Sequence, residues 1–482
     1  DMSFLQPFSH PWALLIPEAA LVGLILLLIS LELFSPGAPR LVVRSAIGGS
    51  FALFLPLVLL WTRQGETLYG MFELNSFAIV LKGVFLFSAV SVLIMAGEFM
   101  KAPKQRSGEF AILILITTLG GFFLASARDL ITLFITIEWM TISLYVLTAF
   151  LRTEGESLEA GMKYFIMGAF SSALFLYGIS FVYGTLGAFH FDQIRARLAS
   201  ASNDPLLAVG FLLILSGIGF KVAAFPFQLW VPDVYQGAPT PVTAFLSVTS
   251  KTAGFAALLK ILFGALGTNL FNWNFLIGLF AAGSLLYGNL GALGQTNIKR
   301  LFGYSSIGHA GYLLMGVATG TRLGIEAALF YMAAYAISNL TAFLVIVLAG
   351  RESGSSEISA LRGLHKKAPL ASGAFFISLL SLGGIPPLVG FFGKFLVLQA
   401  ALARGYLWLA ILGAVSVILS LYYYLSVIKE MYFRPPAPQA KPMRIGMPVQ
   451  LVLLILSIAI VGAGLFQQPL LYLAKAGATF VG

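Results

Sequence analysis

Ionisable side chains stand inside long apolar stretches of this chain, at Glu138, Lys221, Lys251 and Lys394. An ionisable group at the centre of a bilayer costs at least about 2.5–3.5 kcal/mol, so it needs a partner or water and is a functional candidate by default. Lysine and glutamate both titrate when burial and neighbouring charges shift their pKa, so these residue types favour proton transfer. For any single lysine, the alternative to a functional role is that its flexible aliphatic chain lies in the bilayer and extends the amine to the membrane surface.

Glu138 and Lys221 are expected to form an ion pair. Glu138 lies near the middle of the apolar segment 130–151, and each group would stabilise the charged form of the other in an apolar medium. Such a pair can act as a switch, because a proton that arrives nearby breaks it and the released lysine then loses its own proton readily. The structural alternative is a fixed buried ion pair.

His309 and Lys251 each lie well inside an apolar segment. Histidine titrates near neutral pH and can relay protons, while Tyr304, Ser305 and Ser306 supply nearby hydroxyls that can hold water. The alternative for His309 is a hydrogen-bonded core histidine without a functional role.

Other charged residues lie nearer the ends of their segments. For Lys82, Lys163 and Lys260, we expect amines that reach the membrane surface. Asp233 follows Pro232 where an apolar segment ends. Helix capping is the favoured interpretation of this acid, and the alternative is a surface acid that helps to position the next helix.

The composition is that of a polytopic membrane protein. Of 482 residues, 59% are hydrophobic and 10% are charged, whereas soluble domains carry about 25% charged residues. The absence of cysteine excludes thiolate-held iron–sulfur clusters within this chain. Because His10, His190 and His365 are scattered, no metal site or cofactor is expected in this chain. The net charge of +10 is spread over short loops, which indicates contact with anionic lipid and not with nucleic acid.

Apolar segments of about 20 residues recur from end to end, which predicts an all-α fold with about 14 transmembrane helices. The predicted boundaries are 12–34, 42–62, 76–98, 109–127, 130–151, 160–186, 206–229, 240–263, 272–294, 300–319, 323–349, 369–399, 406–428 and 448–474.

The distribution of lysine and arginine over the loops predicts the orientation. The loops that follow odd-numbered segments carry most of these residues, so we expect them to be cytoplasmic and both termini to be periplasmic, in a cell inner membrane. The lysines and arginines of the predicted cytoplasmic loops are Arg40, Arg44, Lys101, Lys104, Arg106, Arg152, Lys299, Arg300, Arg351, Arg362, Lys366, Lys367, Lys429, Arg434, Lys441 and Arg444. The opposite loops carry only Arg63, Arg128, Arg195, Arg197, Arg322 and Arg404.

Two predicted helices, 7 and 12, contain breaks. Pro226 interrupts the first, and Gly383, Gly384, Pro386 and Pro387 interrupt the second. Paired broken helices in two halves favour inverted repeats with the functional site at the breaks. The predicted organisation has helices 1–3 in 1–108, a first five-helix repeat (helices 4–8) in 109–263, a second, inverted repeat (helices 9–13) in 272–431, and helix 14 in 432–482.

Three motifs carry a resemblance to a known family. The stretches WVPDVYQGAPTPVTAFLSVTSK (230–251), QTNIKRLFGYSSIGHAGY (295–312) and SLGGIPPLVGFFGK (381–394) closely resemble the subunit N family of bacterial respiratory complex I. That family is one of three antiporter-like families in the membrane arm of NADH:quinone oxidoreductase.

The resemblance implies proton translocation that is driven by quinone reduction in other subunits, where FMN, iron–sulfur clusters and quinone are expected. It also implies neighbouring partners in the bilayer, namely another antiporter-like subunit and small membrane subunits. By position, Glu138, Lys221, Lys251, His309 and Lys394 would be the proton-translocating residues. We expect entry near Lys221 from the cytoplasm and exit past Lys394. The alternatives are a D-type subunit of a multisubunit sodium/proton antiporter and a purely structural membrane spacer.

Overall fold

The computed structural model describes residues 11–35, 38–100, 106–198, 204–266, 273–436 and 442–480. His10 and three residues used in the orientation prediction, Lys101, Lys104 and Lys441, lie outside these ranges.

The described residues are predominantly α-helical. The first helices are α1 (Ile16–Phe34), α2 (Pro39–Ala52), α3 (Phe54–Leu59), α4 (Ser76–Phe99), α5 (Ser107–Ser126), α6 (Leu130–Thr148) and α7 (Gly155–Leu186). Next come α8 (Phe191–Leu198), α9 (Pro205–Val222), α10 (Val231–Gly237), α11 (Thr240–Phe245), α12 (Lys251–Leu259), α13 (Trp273–Ala292) and α14 (Ile298–Ala318). The last are α15 (Arg322–Ser353), α16 (Leu364–Lys367), α17 (Pro369–Gly383), α18 (Val389–Ala403), α19 (Leu407–Phe433), α20 (Met447–Leu465) and α21 (Gln468–Gly477).

A few short elements complete the fold. Strands β1 (Gly65–Thr67) and β2 (Phe72–Leu74) form an antiparallel hairpin in which Gly65 lies opposite Leu74. In the described ranges, 3₁₀ turns cover Pro11–Leu15, Ile358–Leu361 and Ala478–Phe480. Two π-helical segments, Leu246–Ser250 and Lys260–Leu266, flank α12 and make Thr240–Leu266 one helix of 27 residues.

Within the described residues, twelve helices are long and apolar enough to cross a membrane. This confirms the predicted all-α polytopic membrane fold. In the helix Thr240–Leu266, the apolar stretch is completely buried within the chain, so this helix lies at the centre of the bundle. Helix α14 has 21 residues but is not one of the twelve, since it carries polar residues such as Lys299, Arg300 and His309. The total of 14 crossings and the inverted repeats remain predictions.

Side-chain caps fix the starts of several long helices. Asn75 accepts a hydrogen bond from the Ala78 amide at 2.9 Å, and Asp129 accepts one from the Thr132 amide at 2.7 Å. Each cap satisfies a backbone donor that the first turn of a helix leaves without a partner. Asn297 caps α14 in the same way, which sets the position of His309 on that helix.

Both predicted breaks are present. The first lies between α9 and α10, after Ala223 in the left-handed region at φ 60°, and the second between α17 and α18, after Gly384 at φ 90°. Pro226 and Pro387 follow these residues, each after a cis peptide bond. Because the last carbonyls of a helix have no intrahelical partner, each break leaves free acceptors in the middle of the bundle.

The predicted last segment, 448–474, is wrong at its C-terminal end. Helix α20 stops at Leu465, and the separate helix α21 begins at Gln468 with Pro469 in its first turn. Proline lacks an amide donor and is tolerated at the start of a helix but not in its interior, so the apolar run divides here.

Candidate functional site

Glu138 and Lys221 form the predicted ion pair. Lys221 Nζ lies 3.2 Å from Glu138 Oε1, and Lys221 also donates a hydrogen bond to Thr141 Oγ1 at 3.0 Å. Ser172 Oγ donates to the same carboxylate oxygen at 2.6 Å. The Lys221 side chain is 4% exposed and that of Glu138 is 19% exposed. The pair therefore joins α6, α7 and α9 around one carboxylate, in a setting where either charge alone would be costly.

Lys251 lies immediately after the π-helical segment Leu246–Ser250 and is buried. Its amine donates to the Ser306 carbonyl at 2.6 Å and to the Val222 carbonyl at 3.4 Å. Val222 is the last residue of α9, so this carbonyl is one of those that the break leaves free. The partial negative charge at a helix C-terminus favours a cation, which explains why a lysine is tolerated here.

His309 is buried between two tyrosines from other helices. Its Nδ1 is hydrogen-bonded to Tyr331 Oη at 2.6 Å, and its Nε2 to Tyr424 Oη at 3.1 Å. Tyr424 Oη also hydrogen-bonds Ser305 Oγ. Both ring nitrogens therefore have a partner that can either donate or accept, so either tautomer can be accommodated.

Lys394 repeats at the second break the arrangement that Lys251 has at the first. Its amine donates to the carbonyl of Gly383, the last residue of α17, at 3.0 Å, and to Ser420 Oγ at 3.3 Å. The same amine lies 5.0 Å from the centre of the Tyr312 ring, which favours a cation on its face. Within the described residues, neither Lys251 nor Lys394 forms a salt bridge with a carboxylate.

The structure places the five predicted residues along one line of neighbouring groups. Lys221 is followed in α9 by Val222, whose carbonyl accepts from Lys251. Lys251 contacts Ser306, which lies one helical turn before His309 on α14. On α19, Tyr424 contacts His309, and one turn earlier Ser420 contacts Lys394. With Glu138 on α6, the line uses six helices, namely α6, α9, α12, α14, α18 and α19, and crosses the centre of the bundle.

Several polar members of this line were not predicted from the sequence. The hydroxyl partners are Thr141, Ser172, Tyr331, Ser420 and Tyr424. Each comes from a helix that is distant in sequence from the group it contacts, so no local spacing could reveal it. Of the three hydroxyls predicted around His309, that of Ser305 contacts Tyr424 in the line. The Ser306 hydroxyl is hydrogen-bonded to Tyr235 instead, and Ser306 joins the line through its backbone carbonyl. The Tyr304 ring packs against Tyr287 and the Arg300 guanidinium.

The prediction that Lys82 and Lys260 reach the membrane surface is wrong. Lys82 is buried and forms a salt bridge of 2.6 Å with Glu18 of α1. Lys260 is also buried and donates to the Ala127 carbonyl at 2.9 Å. Lys82 has its buried partner on another helix, and Lys260 has its partner in the short connection between α5 and α6. These contacts replace the contact with water that the prediction assumed.

Lys163 and Asp233 lie at the edge of the bundle. Lys163 is 44% exposed, which agrees with the prediction, and its amine contacts Asp233 Oδ2 at 2.9 Å. The other oxygen of Asp233 accepts from Arg300 at 2.7 Å. Asp233 lies in the first turn of α10 but makes no cap to its backbone, so the expected capping role is wrong. Its two cationic partners hold α7, α10 and α14 together.

A comparison with protein-family models identifies the class. Residues 127–420 match the model of the transmembrane domain described as NADH:quinone oxidoreductase/Mrp antiporter. The chain belongs to the NADH:quinone oxidoreductase/Mrp antiporter family. The matched range contains Glu138, both helix breaks, Lys251, His309 and Lys394.

Relatives within this family agree with the resemblance seen in the motifs. A protein of Desulforamulus reducens named NADH-quinone oxidoreductase subunit N is 41% identical over 438 residues, which cover 89% of this chain and 91% of that protein. A chain of respiratory complex I from Thermus thermophilus is 32% identical, with a TM-score of 0.82 over 95% of this chain and 100% of that chain. A chain of the Mrp complex from Dietzia sp. shares the fold, with a TM-score of 0.87 over 96% of this chain and 97% of that chain, at 23% identity.

Proposed function

We propose that this chain is a proton-translocating subunit in the membrane arm of an NADH:quinone oxidoreductase. The observation that carries the proposal is the line of titratable groups from Glu138 through Lys221, Lys251 and His309 to Lys394. Buried ionisable residues that face a bundle interior mark proton relays in membrane proteins. The relatives named for subunit N support placing this line in complex I.

The protein groups of the line cannot transfer a proton from one end to the other without water molecules between some of them. The carbonyls of Val222 and Gly383 accept hydrogen bonds but cannot donate a proton, so transfer past them needs intervening water. Between Lys394 and His309, the hydroxyls of Ser420 and Tyr424 can both accept and donate a proton. Water is needed here only between these two hydroxyls, which lie one helical turn apart on α19.

Separating one buried ion pair involves an energy similar to that needed to move one proton against the membrane potential. Moving one charge against a membrane potential costs about 2.3 kcal/mol per 100 mV. Separating a buried ion pair costs about 3–5 kcal/mol in effect, because one charge is left without its partner. Opening and closing the Glu138–Lys221 pair can therefore drive the next lysine, Lys251, between its charged and neutral forms.

The orientation and the partners are part of the proposal. Protons enter near Lys221 from the cytoplasmic side and leave past Lys394 to the periplasmic side, in an inner membrane with both termini periplasmic. Flavin, iron–sulfur clusters and quinone belong to other subunits, and the energy of quinone reduction reaches this chain through neighbouring membrane subunits. The predicted transmembrane helices 4–8 and 9–13 form the two inverted repeats, each with a broken helix as its fourth member.

The second candidate is a subunit of a cation/proton antiporter, because the family model covers both classes and the Mrp chain has the same fold. Native electrophoresis of gently solubilised membranes, with in-gel staining for NADH oxidation, separates the two. We expect this chain, identified by mass spectrometry, in a very large band that stains. Migration in a smaller assembly without NADH oxidation would overturn the proposal and favour the antiporter.

A further inference from the structure

An apolar groove lies on the side of the bundle, away from the line of titratable groups. It has a volume of about 480 Å³ and is formed by faces of α3, α4, α15 and α21. On α4 the lining residues Val80, Gly83, Val84 and Phe87 recur at helical spacing and are all half-buried. Apart from the indole N–H of Trp61, the side chains that line the groove have no hydrogen-bonding group, so water gains little by filling it.

The depth of the groove matches one leaflet of a bilayer. Its deepest residue on α4, Phe87, lies 11 positions after Ser76, where the helix begins. At 1.5 Å per residue, this is about 16 Å, or roughly half of a hydrocarbon core of about 30 Å. The groove is thus confined to the leaflet on the side where α4 begins, which the loop charges predict to be periplasmic.

The mouth of the groove has the features of a membrane interface. Trp61 lines it just beyond the end of α3, and its ring lies 6.2 Å from that of Tyr472 on α21. Tryptophan and tyrosine rings favour the level of the lipid headgroups. Helix α21 places Leu470, Leu473 and Ala474 on the groove while Lys475 is exposed. An amphipathic helix with this pattern lies along a membrane surface.

The length of the groove fits within one leaflet. Along α4 and along α15, the lining residues span eight positions, from Ile79 to Phe87 and from Leu329 to Ile337. At 1.5 Å per residue this is about 12 Å, which is less than half of a hydrocarbon core of about 30 Å.

We infer that this groove binds the acyl chains of one phospholipid from the predicted periplasmic leaflet, with its headgroup beside Trp61 and Tyr472. Depth, apolar lining and aromatic mouth all fit extended hydrocarbon chains. The site is independent of the proton-transfer proposal, since it shares no residue with that line.

Gly83 offers a direct test, because a Cβ at this position would meet no atom within 4 Å. A Gly83→Trp substitution therefore introduces an indole at the groove from a Cβ position that is itself open. Gly373→Trp on α17 is the matched control, since a Cβ there also meets nothing within 4 Å and the residue lies outside the groove. The whole assembly is placed in nanodiscs with a phospholipid that carries a photoreactive diazirine on its acyl chain, and labelled peptides are mapped by mass spectrometry.

We expect strong labelling of the α4 and α15 peptides that line the groove, a loss of at least about fivefold in Gly83→Trp, and unchanged labelling in Gly373→Trp. Equal labelling of all lipid-facing helices, or labelling that Gly83→Trp leaves unchanged, would overturn the inference. A benzoylphenylalanine introduced at Val84 provides a second readout. A crosslink to lipid supports the site, whereas a crosslink to another polypeptide contradicts it.

Discussion

Breaking the Glu138–Lys221 pair should separate its structural role from its role in proton transfer. Three variants are needed: Glu138→Gln, Lys221→Met, and Glu138→Leu combined with Lys221→Met. Glu138→Gln leaves a lysine that is only 4% exposed without its carboxylate. We therefore expect the free energy of unfolding to fall by an amount near the upper end of about 3–5 kcal/mol. Lys221→Met leaves a carboxylate that is 19% exposed and still hydrogen-bonded to Ser172, so we expect a smaller fall, near the lower end of that range.

The double variant removes both charges, and apolar replacement of a buried pair is often neutral for stability. We therefore expect its thermal inactivation midpoint and its yield of assembled complex to be close to wild type. Proton transfer should nevertheless fail in all three variants. A loss of about 3 kcal/mol of charge stabilisation at the pair corresponds to a slowing of roughly a hundredfold in the proton-transfer step.

The assay compares proton pumping in proteoliposomes with quinone reduction by the same preparation, next to thermal inactivation and native electrophoresis. We expect the double variant to be stable but defective in pumping. If the double variant pumps at the wild-type proton-to-electron ratio, the pair is a fixed structural contact and the switch mechanism is wrong.

Three further variants test the rest of the line. Tyr424→Phe removes the hydroxyl shared by His309 and Ser305, so pumping should fall several-fold at normal assembly; an unchanged pumping rate would exclude Tyr424 from the path. Lys394→Met should lower the proton-to-electron ratio in proteoliposomes, and full pumping in this variant would contradict exit past the second break. Thr141→Val removes a neutral partner of Lys221, so we expect about 1 kcal/mol of lost stability by thermal inactivation; a loss as large as that of Glu138→Gln would show that the hydroxyl, and not the carboxylate, holds the lysine.

Much of the fold was predictable because its signals are local. Apolar length predicts the helices, and Pro226 and Pro387 predict the two breaks, since proline cannot continue a helix. The Glu138–Lys221 pair was also predictable, because a lone charge in an apolar segment needs an opposite charge and few candidates exist.

Other features depend on contacts between helices that are distant in sequence. Lys82 has the position of a residue that reaches the membrane surface, and only its contact with Glu18 on α1 shows that it is buried. The partners of His309 come from α15 and α19, which no spacing around His309 reveals. Lys251 and Lys394 each donate a hydrogen bond to the last carbonyl of a broken helix. This shared contact could be found only from the structure.

The most direct test of the central claim measures the proton-to-electron ratio of Lys251→Met in proteoliposomes. Lys260→Met is the matched control, because Lys260 is also buried and lies on the same long helix. Among the described residues it donates to a backbone carbonyl, that of Ala127, away from the line. We predict a lower ratio in Lys251→Met and a wild-type ratio in Lys260→Met. A wild-type ratio in Lys251→Met, or an equal fall in both variants, would contradict proton transfer through this line of residues.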